Sequence, residues 1–352
     1  MTGAAQIESQ AGLVSAGEIR RTYQHIRPYL RRTPTLTVPL AALTGAGPDD
    51  ARADVVLKLE QLQCAGSFKT RGAFANLLLR EIPPGGVVAA SGGNHGVAVA
   101  YAAHRLGIPA TIFVPAIAGR AKIDAIRSLG ADLHVGGDRY ADAWAAAQIW
   151  AAESGAVQVP AFDQPETILG QGSVGLELSE QVSDLDTVLV PVGGGGLLAG
   201  IAAYFAGAVR VIRVEPDGAP TLTRARASGG PADAPTGSIA ADVLAPRRVG
   251  DLVFPLTQSY VSDVLLVDDK AICQAQHALW RATRLITEPA AAVTTAAMIT
   301  GAYRPAPGER VAIVITGANT TLSDFQTRRP PSQANRPGSV TTEPKCAERH
   351  NR

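Results

Sequence analysis

Three short segments carry residues whose chemistry depends on being held at the end of a helix. The first is Glu60-Gln61-Leu62-Gln63-Cys64-Ala65-Gly66-Ser67-Phe68-Lys69-Thr70-Arg71-Gly72, in which a lysine stands between a glycine turn and the start of a helical stretch. A lysine is ordinarily a solvated surface residue. At the positive end of a helix its ammonium is destabilised, which favours the neutral, nucleophilic amine. The second segment is Ala90-Ser91-Gly92-Gly93-Asn94-His95-Gly96, where a strand gives way to a helix near Asn94. A hydroxyl, an amide and backbone N–H groups there could hold a carboxylate; simple capping of the helix by Ser or Asn is the plainer reading. The third, Pro191-Val192-Gly193-Gly194-Gly195-Gly196-Leu197-Leu198-Ala199-Gly200, follows an apolar run and opens another helix. One glycine suffices for a tight turn. Four let several N–H groups converge at a positive helix end, an anion cradle used most often for phosphate.

Each segment needs a strand before it and a helix after it. Apolar runs predict strands at 55–59, 87–90, 110–114, 132–135, 187–192, 209–214 and 311–315. Helices are predicted at 72–80, 94–106, 121–129, 140–153, 197–206, 269–285 and 289–299. Ser15 and Glu18 form a capping box for one more, with Ile19, Tyr23, Ile26 and Leu30 on one face, and Arg32-Thr33-Pro34 stops it. Several strands are apolar throughout, as in parallel sheets buried on both faces. The alternation reads as α/β with helices on both faces of the sheet. Ligands of such sheets lie beyond the carboxyl ends of the strands, where all three segments fall.

The chain has 352 residues, of which 46% are hydrophobic and 18% charged. At ~150 residues per domain this suggests two domains or lobes. The net charge is +1, but residues 328–352 contribute +4 of it, leaving a body of −3. That body shows no electrostatic footprint for nucleic acid. No apolar run approaches the ~18 residues of a membrane span. The opening MTGAAQIESQ lacks the regions of a secretory signal. Cys64, Cys273 and Cys346 are scattered, which argues against a disulfide framework or zinc cluster and suits a reducing cytosol. A cytoplasmic location is expected, with residues 1–14 and 329–352 disordered on composition.

Gly194-x-Gly196-x-x-Ala199 also fits the dinucleotide fingerprint, with Glu215 roughly where a ribose acid belongs, so an NAD-dependent oxidoreductase competes. Four consecutive glycines exceed what the fingerprint needs, and two other suggestive segments precede them. A second match, Gly170-x-Gly172-x-x-Gly175, follows no convincing strand and reads as noise. His25, His104, His134, His277 and His350 show no ligand spacing, so no metal is assigned. Cys64 reads as a small core residue, and Trp144, Trp150 and Trp280 as packing.

Together the segments resemble the pyridoxal-phosphate enzymes of the tryptophan-synthase β-type fold (fold type II), and within them the serine/threonine dehydratase and serine racemase group. The resemblance covers about residues 15–328. E-x-x-Q-x-x-G-S-F-K-x-R-G-A is specific in type and spacing, and S-x-G-N-H and the four-glycine loop add to it. Gly237-Ser238-Ile239-Ala240-Ala241-Asp242, Glu288-Pro289-Ala290 and Thr316-Gly317-Ala318-Asn319 fall where the family has T-I-A-D-G, E-P-A-G and S-G-G-N. The implied fold has two open, twisted, mostly parallel sheets flanked by helices, with pyridoxal 5'-phosphate in the cleft between lobes. Residues 15–85 and 164–328 would form the large, cofactor-binding domain and 86–163 the small one. A homodimer is implied as well.

The resemblance assigns roles. Lys69 would be the Schiff-base lysine, with Phe68 near the cofactor ring and Asn94 on the ring hydroxyl. Gly193, Gly194, Gly195, Gly196 and the N–H of Leu197 would hold the phosphate. Ser91, Gly92, Asn94 and His95 would meet the substrate, and Thr316 would face the pyridine nitrogen. A hydroxyl there, rather than Asp, leaves the ring a weaker electron sink, which favours β-elimination over transamination. Gly66-Ser67-Phe68-Lys69-Thr70-Arg71 and His95 resemble dehydratases rather than cysteine synthases, and Thr70 stands where threonine synthases usually have Asp. The implied reaction removes water from an L-3-hydroxy amino acid such as threonine or serine, giving a 2-oxo acid and ammonia. Another β-elimination or β-replacement activity, or a serine racemase, is the alternative; racemases of the group resemble S-S-G-N-H, and their second Ser supplies a proton from the face opposite the lysine. No appended regulatory domain, and so no inhibition by isoleucine, is expected. Val243 replaces a glycine that lies close to the ring, so a narrower pocket or shifted loop is expected, and Ala318 replaces another glycine. Glu215-Pro216-Asp217-Gly218-Ala219-Pro220-Thr221 keeps the Glu of a racemase cation stretch but ends in Thr.

Overall fold

The structure is a computed structural model; it describes residues 12–328 except 46–52, 117, 139 and 245, and of Ala121 only the backbone. The expectations for residues 1–11 and 329–352, with Cys346 and His350, lie outside the described residues. Ten strands are described: β1 (Thr35–Pro39), β2 (Asp54–Leu59), β3 (Val87–Ala90), β4 (Ala110–Val114), β5 (Asp132–Val135), β6 (Val157–Gln158), β7 (Thr187–Pro191), β8 (Arg210–Pro216), β9 (Val261–Val267) and β10 (Val311–Ile315). They form a six-stranded sheet, β1-β2-β10-β7-β8-β9, and a four-stranded sheet, β5-β4-β3-β6. Only β1–β2 is antiparallel among the described pairs. The fold is therefore the expected one of two parallel-dominated sheets flanked by helices.

The register explains how distant segments meet. Val311 of β10 pairs with Val55 of β2 on one side and Thr187 of β7 on the other. The three strands run parallel, so the segments following them leave the sheet at the same edge: the lysine segment, Thr316 and the glycine run. β3, β7 and β10 are buried at every position, which is why their sequences are apolar throughout. Ser91 follows β3, inside the second sheet.

The helix that carries the lysine, Lys69–Leu79, packs on Pro165–Gln181, which packs in turn on Gly196–Phe205. Glycines set these approaches. A Cβ on Gly170 would lie 2.6 Å from the Arg71 carbonyl oxygen and 2.7 Å from the Gly72 Cα, and one on Gly200 would lie 2.6 Å from the Gly172 nitrogen. The second dinucleotide-like match is thus the middle of a helix.

Arg71 faces away from the site into a fully buried charge cluster. Its Nε donates to Glu60 at 2.7 Å and its Nη1 to Glu177 at 2.9 Å, while Lys58 Nζ reaches Glu177 at 2.6 Å and the Thr33 carbonyl at 2.8 Å. Two cations and two carboxylates cancel, so burial is tolerable. Burial opposes the Arg71 charge, and Glu60 and Glu177 more than offset it. The acidic and basic letters flanking the lysine motif therefore lock its helix to β2 and to the Pro165–Gln181 helix.

Candidate active site

The loop before Lys69 is stitched to the end of β10. Phe68 N donates to the Thr316 carbonyl at 3.1 Å, Ala318 N donates to Gly66 at 3.0 Å, and Ser67 pairs with Gly317. Lys69 opens its helix, and its Nζ donates to the Ala161 carbonyl at 2.6 Å, 5.2 Å from the Phe68 ring centroid. Burial pushes the Lys69 amine down to about 8.

Phe162, next to Ala161, rests on the glycine run. A Cβ on Gly194 would run into its ring, and one on Gly196 would lie 2.7 Å from its carbonyl oxygen. A Cβ on Gly193 would lie 2.8 Å from the Leu244 Cα, and Gly195, at φ +87°, would put one 2.5 Å from Val253. Packing alone therefore demands glycine at all four positions, which the turn argument had not foreseen. What points to an anion is the placement: Gly196 begins a helix immediately after β7, and the first amides of a helix have no carbonyl of their own to bond.

Asn94 sits at the start of the helix Asn94–Leu106, 2% exposed. Its Nδ2 donates to Glu288 Oε1 at 2.5 Å, and its Oδ1 accepts from Asn319 Nδ2 at 2.9 Å. Ser91 Oγ accepts from Gly93 N at 3.1 Å, and a Cβ on Gly93 would come within 3.2 Å of the Asp242 carbonyl oxygen. The Asp242 carboxylate holds Lys122 at 2.6 Å. His95 is turned inward: its Nε2 meets the Val159 carbonyl at 2.7 Å. Burial, then the Lys69 charge, push it down to about 3, so the ring is neutral and Nε2 donates. Val243 is half-buried against an apolar cluster that includes Leu57, Leu189 and Ile315.

Lys69, Phe68, Thr316, Asn94 and the glycine run thus converge, while His95 is bonded to the backbone behind them. Glu288, Asn319, Lys122 and Asp242 belong to the same surroundings and had no assigned role. Glu288 was visible only as a motif letter, since its partner Asn94 lies 194 residues away. Glu215 spends its carboxylate on the helix Thr221–Ala227, accepting from Leu222 N at 2.7 Å and Thr223 N at 3.0 Å. Thr223 Oγ1 donates to it as well at 2.5 Å, so both of its oxygens bond the start of that helix. Among the described residues no cluster of His, Cys, Asp or Glu could hold a metal.

A half-buried lysine with a lowered amine value, close to a helix start suited to an anion on an α/β fold of this topology, is the arrangement expected of an enzyme that holds a phosphorylated cofactor. Residues 26–317 match the family described as pyridoxal-phosphate dependent enzyme, and the chain belongs to that family. The biosynthetic L-threonine dehydratase of Salmonella typhimurium is 40% identical over 274 residues, 76% of this chain and 53% of that protein; the chain spans about half the length of this relative. An L-threonine ammonia-lyase of Thermotoga maritima is 35% identical over 317 residues, 88% of this chain and 77% of the other. The structure of maize serine racemase superposes with a TM-score of 0.81 at 31% identity, covering 89% of this chain and 96% of that one.

The residues present fit pyridoxal phosphate. Among the described residues no hydrogen-bond partner reaches the buried Thr316 Oγ1, which leaves it free for a ring nitrogen. One Asn94 N–H is likewise uncommitted, and the Gly196 helix start is suited to the phosphate. The chain is a pyridoxal-phosphate-dependent enzyme, and no helix among its described residues is long and apolar enough to cross a membrane.

Proposed function

We propose that this chain is a carbon–nitrogen lyase, a dehydratase that removes water from an L-3-hydroxy amino acid such as threonine or serine to give a 2-oxo acid and ammonia. The observation that carries the reading is the half-buried Lys69 amine, lowered by desolvation to about 8, bonded to the Ala161 carbonyl and so joined through residues 161–162 to the glycine helix start. When bound, pyridoxal phosphate supplies the electron sink for the charge left at Cα. Gly193–Gly196 and Leu197 hold the phosphate, Phe68 lies by the ring, Asn94 holds the ring hydroxyl and Thr316 the ring nitrogen. Ser91, Gly92 and the amides leading to Asn94 take the substrate carboxylate, with His95 fixing that helix from behind. Lys69 Nζ takes the proton from Cα; the pair left at Cα forms the Cα–Cβ double bond while the β-hydroxyl leaves with the Cβ–O pair and a proton as water, and hydrolysis of the resulting enamine gives the 2-oxo acid and ammonia. A hydroxyl at the ring nitrogen in place of a carboxylate supports elimination over transamination. The relatives named as threonine dehydratase and ammonia-lyase support the same reaction class.

We read the four-stranded sheet as the small lobe, residues 86–163, and the remainder to 328 as the large one. A homodimeric, cytoplasmic enzyme belongs to the same reading. The test is 2-oxo acid release across a panel of L-3-hydroxy amino acids. Release that disappears with Lys69→Ala is expected, and no release from any member of the panel would overturn the proposal.

A further inference from the structure

We infer that Glu288 is a positioning residue which, acting through Asn94, orients the group holding the pyridoxal ring oxygen and biases that oxygen toward its protonated form. This rests on the proposed placement of Asn94 at the ring hydroxyl. Asn94 Oδ1 accepts from Asn319 Nδ2 at 2.9 Å, and Asn94 Nδ2 donates to Glu288 Oε1 at 2.5 Å. Asn319 Nδ2 also donates to the Ala65 carbonyl at 2.9 Å, which fixes it as a donor. Flipping the Asn94 amide would set donor against donor at Asn319 and acceptor against acceptor at Glu288. The amide is locked, and its one remaining N–H is the group left for the ring oxygen.

Glu288 is 1% exposed, and among the described residues its Oε2 has no partner. Its own N donates to the Gly317 carbonyl at 3.2 Å, so the side chain is held at the end of β10, beside Thr316. The charged groups facing it are Lys122, from the helix Arg120–Ser128, and Asp242, from the helix Ala241–Leu244. Those two are bound to each other at 2.6 Å and largely cancel. An ionised Glu288 therefore adds negative charge one amide away from the ring oxygen, which disfavours a second negative charge there. Burial raises the Glu288 carboxyl to about 7, so this charge itself changes near neutral pH.

The experiment is a pH titration of the visible absorption of the purified holoenzyme, with borohydride reduction to confirm that the cofactor is on Lys69. Removing the charge in Glu288→Gln is expected to lower the midpoint of the chromophore by about one unit, a tenfold loss of proton affinity, while attachment to Lys69 persists. Glu288→Asp, which keeps the charge, is expected to stay near the wild-type midpoint. The wild-type curve should depart from a single-proton titration, because the two groups are coupled. That measurement stands even if Glu288→Gln fails to fold: a wild-type titration following one proton overturns the inference. An unshifted midpoint in a folded, cofactor-loaded Glu288→Gln overturns it as well, and leaves the dehydratase reading standing. A wild-type protein without any borohydride-reducible chromophore overturns both.

Discussion

Lys69 is the residue on which the proposed chemistry turns, and its environment predicts a pH dependence. A lysine at about 8 is neutral for roughly a tenth of its population at pH 7, against well under a thousandth for an unperturbed side chain. The neutral form grows as pH rises through the lowered value. Re-attachment of pyridoxal phosphate to the apoenzyme should therefore speed up with a midpoint near pH 8 and level off above it, as followed by the visible absorption. A rate still climbing steeply toward pH 10 would mean the amine is not desolvated. Lys69→Ala should leave the fold intact by circular dichroism and abolish both reducible cofactor and turnover. Thr316 offers the matching test at the ring nitrogen. Its Oγ1 has no partner among the described residues, so Thr316→Val keeps the shape and removes the hydroxyl. Losing a hydrogen bond of about 1–1.5 kcal/mol should weaken cofactor retention on dialysis by roughly tenfold, whereas Thr316→Ser should retain it. Equal retention in both variants would place Thr316 away from the ring.

The elements that hold these residues follow from packing that a sequence shows only in part. Strands buried on both faces, such as β3, β4 and β10, were legible to the residue as continuous apolar runs. The edge strand β9 was not, because its burial alternates irregularly and Ser262 and Asp263 lie on the surface. The two-residue β6 and the short antiparallel β1 carry too few apolar positions to stand out. The largest omission was the helix Pro165–Gln181, whose Gly170, Gly172 and Gly175 read only as a chance dinucleotide-like match. Those glycines depress helix propensity, yet they are required where three helices touch backbone to backbone. At the site, Lys69, Asn94, Thr316 and the glycine run were legible because motif spacing marks them. Glu288 was not, because its part depends on a contact between segments far apart in the chain. The helix crossing gives a stability test. Gly170→Ala puts a methyl against the Arg71 and Gly72 backbone, neither of which can rotate away, and should cost about 1–3 kcal/mol by denaturant titration. An unchanged midpoint would show that the crossing yields easily. Glu177→Gln acts on the same helix pair from the buried ion cluster. It leaves Lys58 and Arg71 short of one negative charge, and on the order of 3–5 kcal/mol should be lost.

At the scale of the whole molecule, the two sheets contribute different parts of the candidate site: the segments after strands of the six-stranded sheet bring the lysine, the glycine run and Thr316, and the segment after β3 of the four-stranded sheet brings Ser91–Asn94. The Lys122 ammonium from the helix Arg120–Ser128 holds Asp242 of the helix Ala241–Leu244 at 2.6 Å. This division bears on whether the enzyme eliminates or racemises. Racemisation needs a proton carrier on each face of the planar intermediate state, and Lys69 is the proposed carrier on one. On the other side the chain has Gly92, where a Cβ would run into the Ala118 Cβ and lie 2.9 Å from Val114 Cγ1. The position is thus both empty of a donor and closed by the loop after β4. Without a positioned acid, inversion forgoes a contribution of roughly 10²–10⁴-fold. L-threonine or L-serine incubated in deuterated water should accordingly yield 2-oxo acid, while the remaining substrate stays of the L form by chiral chromatography. Gly92→Ser alone should not change this outcome, since the new side chain collides with Ala118 and should impair turnover instead. Gly92→Ser combined with Ala118→Gly removes the nearer contact, leaves only Val114 Cγ1 to give way, and should produce measurable D-amino acid. Inversion by the wild type at a rate comparable to oxo-acid release would place the second proton carrier elsewhere in the cleft and make the chain a racemase.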